Sequence, residues 1–242
     1  DFESTELDCL INLSASPFNI GKFKNRQRIA TNASSKLKTK IIYLNQIGGN
    51  DDLIFDGNSF IIDKYGKKIK QLSSCKEDFY CWDMNKQKNL IPNEKDISDL
   101  ESIFDALVLG VKDYAKKCGF KTALIGLSGG IDSALVTVIA TAALGSKNVF
   151  CIAMPSKWNS INSKIDAEQL ATRLNINFDI ISIENLFKSF KETLEDSINL
   201  NIEGVVSENI QSRIRGSLLM ALANKNNHLL LSTGNKSELA VG

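Results

Sequence analysis

One short segment restricts this chain more than any other. Ser128-Gly129-Gly130-Ile131-Asp132-Ser133 follows the apolar run 122–127 and leads at once into the apolar stretch 132–144. Such a run, a glycine pair and a helix-length pattern predict a buried strand, a tight loop and a helix. The glycines let main chain approach an oxyanion without side-chain hindrance. Exposed N–H groups and the dipole at the helix N-terminus favour negative charge there. Ser128 and Ser133 add hydroxyl donors. Asp132 alone would repel a phosphate, so it is assigned a bound Mg2+. Gly126 and Leu127 deliver the strand into the loop and are counted with it. The segment is not a Walker A loop: the spacing G-x-x-x-x-G-K-[ST] is absent, and Gly234-Asn235-Lys236-Ser237 has the wrong spacing.

The rest of the chain falls into two textures. Residues 85–96 are polar and turn-rich and read as a linker. Before them, strands at 9–13, 40–46, 53–55, 59–63 and 69–72 surround a polar helix at 23–38, with turn signals at Asp56-Gly57 and Tyr65-Gly66. After them, strand and helix alternate. A helix over 97–117 carries Ile103, Leu107, Val111 and Tyr114 at helical spacing and stops near Gly119. Strands follow at 122–127, 149–154, 178–183 and 228–232. Helices follow at 132–144, 163–174, 184–197 and 205–224, and another begins near Lys236. Continuous apolar strands between helices predict a parallel sheet covered on both faces. Ligands of such a sheet bind beyond the strands' carboxyl ends, here Ser128, Met154, Ile183 and Thr233. The expected class is therefore α/β.

Composition narrows the partners. A net charge of +1 over 242 residues gives no field for nucleic acid or an anionic membrane. No apolar run is long enough to span a bilayer. Five scattered cysteines form no C-x-x-C pair and read as reduced thiols, with Cys9 and Cys151 in apolar runs expected in the core. The single histidine, His228, leaves little scope for a histidine metal site and reads as structural. The missing initiator Met and a last helix that stops at Gly242 suggest a piece of a longer protein.

The loop Leu127-Ser128-Gly129-Gly130-Ile131-Asp132-Ser133 resembles the pyrophosphate loop of the N-type ATP pyrophosphatases, which split ATP to AMP and pyrophosphate to activate an acceptor. Two more segments narrow the resemblance. Ser207-Glu208-Asn209-Ile210-Gln211-Ser212-Arg213-Ile214-Arg215-Gly216 is similar to the E-N-x-Q-A-R-x-R segment of NAD synthetases, with Ser212 in place of Ala. Ser232-Thr233-Gly234-Asn235-Lys236-Ser237-Glu238 is similar to their S/T-T-G-N-K-S-E segment. The resemblance implies ATP and Mg2+. The nicotinate carboxylate of deamido-NAD would attack the α-phosphate, and ammonia would displace AMP to give NAD. It implies that Ser128, Gly129, Gly130, Asp132 and Ser133 hold the phosphates and that the main chain at Met154 meets adenine. Thr233 then contacts ATP, Arg213 contacts deamido-NAD, and Glu238 meets Mg2+ or deamido-NAD, with Asn209 and Lys236 as further substrate contacts. Plainer readings stay open: Arg213 or Arg215 as surface ion pairs, Thr233 and Asn235 as helix caps, Glu238 as a dipole charge and Met154 as core. Lys157 and Trp158 follow in a loop placed to close over the site.

Residues 7–63 resemble the late part of a nitrilase-like glutaminase domain, to whose end residues 1–84 are assigned. The resemblance rests on Ile11-Asn12-Leu13-Ser14-Ala15-Ser16-Pro17-Phe18 with Gly21-Lys22, and on the stretch from Tyr43 to Gly57. Ser16 and Lys22 match glutamine-holding positions. The family's nucleophile segment, C-E-D-x-W, does not occur, and Cys9 is not that nucleophile. Ammonia from glutamine is therefore expected of the intact enzyme. The resemblance further implies a cytoplasmic enzyme, with at least a dimer of the synthetase part. Another ATP pyrophosphatase, such as a GMP synthetase or a tRNA-modifying enzyme, and a non-catalytic fragment are the alternatives.

Overall fold

The computed structural model describes residues 6–85, 98–156, 161–198 and 202–241. They form two compact units, Asp1–Tyr114 and Ala115–Gly242. Apart from Asn85, the expected linker lies outside the described residues, as does the expected Lys157–Trp158 loop.

The first unit holds β1 (Cys9–Ser14), α1 (Lys22–Leu37), β2 (Lys40–Asn45), β3 (Ile47–Asn50), β4 (Leu53–Asp56), β5 (Phe60–Ile62) and β6 (Lys68–Gln71). Its main sheet runs β1-β2-β5-β6, with β1 and β2 parallel and the other pairs antiparallel. Helix α1 lays Ala30 and Ala33 on Ile41, Tyr43, Phe60 and Ile62, and the Tyr43 and Phe60 rings stack at 4.9 Å. Cys9, expected in the core, is only half-buried.

One local expectation fails here. The strands flanking Asp56-Gly57 do not pair with each other. Gly57, at φ 64°, bridges Ser74 instead of closing a turn, and β4 pairs with β3 while β5 joins the main sheet. The hairpin instead turns at Asp51, at φ 50°. Gly48 and Gly49 are strand residues of its first arm.

Helix α2 (Asp99–Lys117) starts with a reciprocal cap: Glu101 N–H donates to the Ser98 hydroxyl at 3.2 Å, and Ser98 N–H donates to the Glu101 carboxylate at 3.1 Å. It ends where Phe120 N–H reaches back to Ala115 at 2.8 Å, with Gly119 at φ 78°. The expected apolar stripe is split, with Ile103 and Val111 half-buried. Leu107 and Tyr114 are exposed, and Ala106 and Ala115 are buried. Small residues let neighbours approach: the Ile54 side chain lies against Gly110.

The second unit holds β7 (Ala123–Gly126), α3 (Ile131–Leu144), β8 (Val149–Ala153), α4 (Ile161–Leu174), β9 (Asn177–Ile180), α5 (Glu184–Ile198), α6 (Gly204–Asn226), β10 (Leu229–Leu231) and α7 (Lys236–Val241). All pairings in its sheet, ordered β10-β7-β8-β9, are parallel. Successive side chains alternate faces. Leu124 and Ile152 pack with Ile183 and Phe187 of α5 and its approach, and with Ile214 and Ala223 of α6. Ile125 and Cys151 face the other way, onto Ala140 of α3 and Ala167 of α4. This three-layer arrangement is the expected parallel α/β sheet, and it aims the ends of β7, β8 and β10 at a common rim. His228 stands at the opposite end. Its Nδ1 meets the Thr122 hydroxyl at 2.6 Å and its ring lies 4.6 Å from Phe150. Among the described residues no helix is long and apolar enough to cross a membrane.

Candidate functional site

At that rim lies a cavity of about 420 Å³. It is lined by Gly126, Leu127 and Ser128 after β7, by Ala153, Met154 and Pro155 at the end of β8, and by Leu231, Ser232 and Thr233 at the end of β10. Helix α6 closes it with Ser212, Arg215, Gly216 and Leu219, a stripe at i, i+3, i+4 and i+7.

The loop is built by its own hydroxyls. Gly130 N–H donates to Ser128 Oγ at 3.2 Å, Ser133 Oγ donates to the Gly130 carbonyl at 2.9 Å, and Ser128 N–H donates to Ser133 Oγ at 3.3 Å. The two hydroxyl oxygens are 3.1 Å apart. Ser133 is buried, so its hydroxyl shapes the loop, while Ser128 is exposed. Gly129 is obligatory on two counts. Its φ of 84° suits glycine, and a Cβ there would overlap the Ser163 carbonyl. Gly130 is extended at the N-cap of α3, which leaves Ile131 and Asp132 exposed at the first turn. Leu127 lies in the core, so only its main chain reaches the rim. Gly126 admits Leu219 of α6, whose Cδ1 would sit 3.0 Å from an added Cβ.

Helix α6 separates the two arginines. Residues two apart point to opposite sides of a helix. Arg213 is exposed and donates to the Asn209 carbonyl at 3.3 Å. Arg215 turns inward, lines the cavity and donates from Nε to the Met154 carbonyl at 3.1 Å. Burial lowers its pKa from the ordinary value. Residue-by-residue matching favoured Arg213. The signal for Arg215 was its helical spacing from Gln211 and Leu219, which face the same side. Asn209 is exposed. Met154 is buried in the core and also lines the cavity.

Thr233 lines the cavity, while Lys236 and Glu238 are exposed beside it. Asn235 and Glu238 cap α7 reciprocally: Glu238 N–H donates to Asn235 Oδ1 and Asn235 N–H to Glu238 Oε2, both at 3.0 Å. The Asn235 amide also stands 3.5 Å from Asp132 Oδ2. One asparagine thus links the two carboxylates assigned to Mg2+. A hard cation of this kind takes one or two carboxylates together with substrate phosphates, and Asp132 and Glu238 fit that donor set. Among the described residues no cluster of three or more His, Cys, Asp or Glu could hold a metal.

In the first unit, Ser16 and Lys22 are half-buried. Ser16 N–H donates to Asn45 Oδ1 at 2.8 Å, and Lys22 begins α1.

The family profile described as NAD synthase matches residues 103–242. A glutamine-dependent NAD(+) synthetase of Synechocystis sp. is 46% identical over 98% of the chain and 43% of its own length. The solved glutamine-dependent NAD+ synthetase of Acinetobacter baumannii, in complex with adenosine diphosphate, superposes with a TM-score of 0.92 at 38% identity, over 100% of this chain and 46% of that one. The NH3-dependent NAD synthetase of Campylobacter jejuni superposes with a TM-score of 0.53 at 34% identity, over 59% of this chain and 60% of that one. The chain spans less than half the length of the glutamine-dependent relatives it matches.

Proposed function

This chain belongs to the NAD synthase family, and from that premise we propose that it carries the ATP-dependent amidation of deamido-NAD to NAD. The observation that carries the proposal is the self-tied Ser128–Ser133 loop at the head of α3, opening on a cavity that Arg215 lines. Adenosine diphosphate in the Acinetobacter baumannii relative supports ATP as the co-substrate.

In this reading the adenosine enters the cavity beside Met154 and Thr233, with its phosphates toward the loop. Main-chain N–H groups at Gly129 and Ile131 and the α3 dipole stabilise the charge that builds on the departing pyrophosphate, while the Gly130 N–H stays on Ser128 Oγ. Asp132 and Glu238 would hold Mg2+, which when bound neutralises phosphate charge. A carboxylate oxygen of deamido-NAD attacks the α-phosphorus, and the bond to pyrophosphate breaks. Ammonia then attacks the carboxyl carbon of the adenylate, AMP leaves, and a proton is lost to give the amide. Arg213, Asn209 and Lys236 keep the acceptor contacts that the family resemblance gives them.

We assign residues 1–84 to the end of a nitrilase-like glutaminase domain, 85–96 to a linker and 97–242 to the synthetase domain. Ser16 and Lys22 would contact the glutamine that supplies ammonia. Five free cysteines suit the reducing cytoplasm. At least a dimer is expected.

The test is NAD and pyrophosphate formation by the purified protein from ATP, Mg2+, deamido-NAD and ammonium. Equal yields of both products support the proposal. Turnover only with a different acceptor, or no ATP turnover at all, refutes it.

A further inference from the structure

Arg26 has no part in the reaction above, yet it is 6% exposed in the second turn of α1. A guanidinium buried so far needs its charge paired and its donors used. Nη1 donates to both Asp56 carboxylate oxygens, at 2.9 and 3.2 Å. Nη2 donates to the carbonyls of Ser16 at 2.8 Å and Pro17 at 3.0 Å. Nε donates to the Ser16 hydroxyl oxygen at 3.1 Å. Asp56 is itself held by the Asn58 amide at 2.7 Å.

Ser16 is fixed from its other side by Asn45. The Asn45 amide accepts the Ser16 N–H at 2.8 Å and donates to the Ser16 carbonyl at 3.1 Å. These bonds occupy the main chain of Ser16 and one lone pair of its hydroxyl. What they leave to Ser16 is its hydroxyl proton, polarised by the adjoining cation and available to a substrate acceptor. Lys22 lies one turn before Arg26, on the same side of α1.

We propose that Arg26 is a positioning residue for glutamine: anchored by Asp56, it sets Ser16 so that the Ser16 hydroxyl donates to the substrate. The proposal rests on the glutamine reading of Ser16 and Lys22. Arg26 touches no reacting atom, and its effect passes through Ser16.

The experiment uses the complete gene product that contains this chain, with NAD formation driven by L-glutamine or by ammonium. Arg26→Lys keeps the charge opposite Asp56 but replaces a planar fork with one nitrogen, which cannot serve Asp56 and Ser16 together. The expected result is a KM for L-glutamine raised about tenfold. The ammonium-driven rate, which does not use the glutamine site, stays within about twofold of the parent. Ser16→Ala leaves the ion pair in place and is expected to give the same glutamine defect. The double variant is expected to do no worse than either single one. An unchanged glutamine KM in either folded variant overturns the inference. So do parallel losses with glutamine and ammonium, or additive defects in the double variant. A parent that makes NAD from ammonium but not from glutamine removes the glutamine reading, and this inference with it. A parent that uses neither removes the proposed function.

Discussion

Arg215 ties the middle of α6 to the chain leaving β8, through the 3.1 Å bond from its Nε to the Met154 carbonyl. Arg215→Ala removes both that tie and a cation of the cavity wall. A hydrogen bond to a charged group contributes about 1.5–3 kcal/mol, so kcat/KM for ATP is expected to fall about ten- to hundredfold. Arg213→Ala is expected to leave ATP use nearly unchanged and to raise the KM for deamido-NAD. Steady-state pyrophosphate release measures both. Equal ATP defects in the two variants would contradict the opposed faces of α6.

Gly129→Ala must fail for geometric reasons. A left-handed backbone costs a non-glycine residue about 1–2 kcal/mol, and the added methyl meets the unyielding Ser163 carbonyl. The loop is expected to shift, lowering the melting temperature and ATP affinity together. Gly145→Ala is the matched control. It has φ 86° but nothing within 4 Å of the added Cβ. It is expected to lose stability without losing ATP binding. Calorimetry and ATP titration separate the two cases.

Asp132 is exposed, and among the described residues its one side-chain hydrogen bond is the long one to Asn235. Asp132→Ala should therefore change stability by no more than about 0.5 kcal/mol, while pyrophosphate release is nearly abolished at saturating Mg2+. Near-normal turnover would remove the aspartate from the metal site.

Acid sensitivity should report on His228, the only histidine. Burial lowers its pKa from the ordinary value of about 6.5. The unfolded chain therefore binds this proton more tightly than the folded one, and stability rises with pH through the interval between the two values. The penalty is absent above the unfolded value. It grows as pH falls through that value and is complete below the folded one. Melting temperature is expected to drop between pH 7.5 and 5 in the parent. In His228→Gln the part of that drop due to the imidazole disappears. Identical pH profiles for parent and variant would exclude the histidine as the cause.

The parallel sheet was readable because β7, β8 and β10 are short apolar runs bounded by loops and helices, whereas the edge strand β9, with Asn177 and Asp179, is largely exposed. Leu124 and Ile125 face opposite core clusters, so neither could be polar. What escaped depends on which of several equivalent partners the chain selects. Asp56-Gly57 carries a turn signal, but local sequence cannot say that Gly57 bridges Ser74 or that β5 pairs with β2, whose residues lie far back along the chain. The α2 stripe misled because its buried positions are alanines, where close approach matters more than side-chain area. Arg26 and Asp56 look like surface charges until they meet across 30 residues of chain. Arg213 and Arg215 share one motif, and only helical phase tells them apart.

Glu238 poses the sharpest choice, because one carboxylate is offered two tasks. Its Oε2 accepts the Asn235 N–H in the α7 cap, and the Asn235 amide stands beside Asp132. Glutamine can accept the same hydrogen bond, since a capping box tolerates either residue. Glu238→Gln should therefore keep the cap, with stability changed by less than about 0.5 kcal/mol. It removes the charge that a hard divalent cation needs. The expected outcome is an unchanged melting temperature with a Mg2+ requirement for pyrophosphate release raised about tenfold or more. Glu238→Ala should add the loss of its half of the cap, the bond from Asn235 N–H, while Asn235 Oδ1 still accepts the N–H of residue 238. If the glutamine variant titrates with Mg2+ like the parent, Glu238 is a helix cap alone, and Asp132 is left as the one protein carboxylate of the proposed metal site.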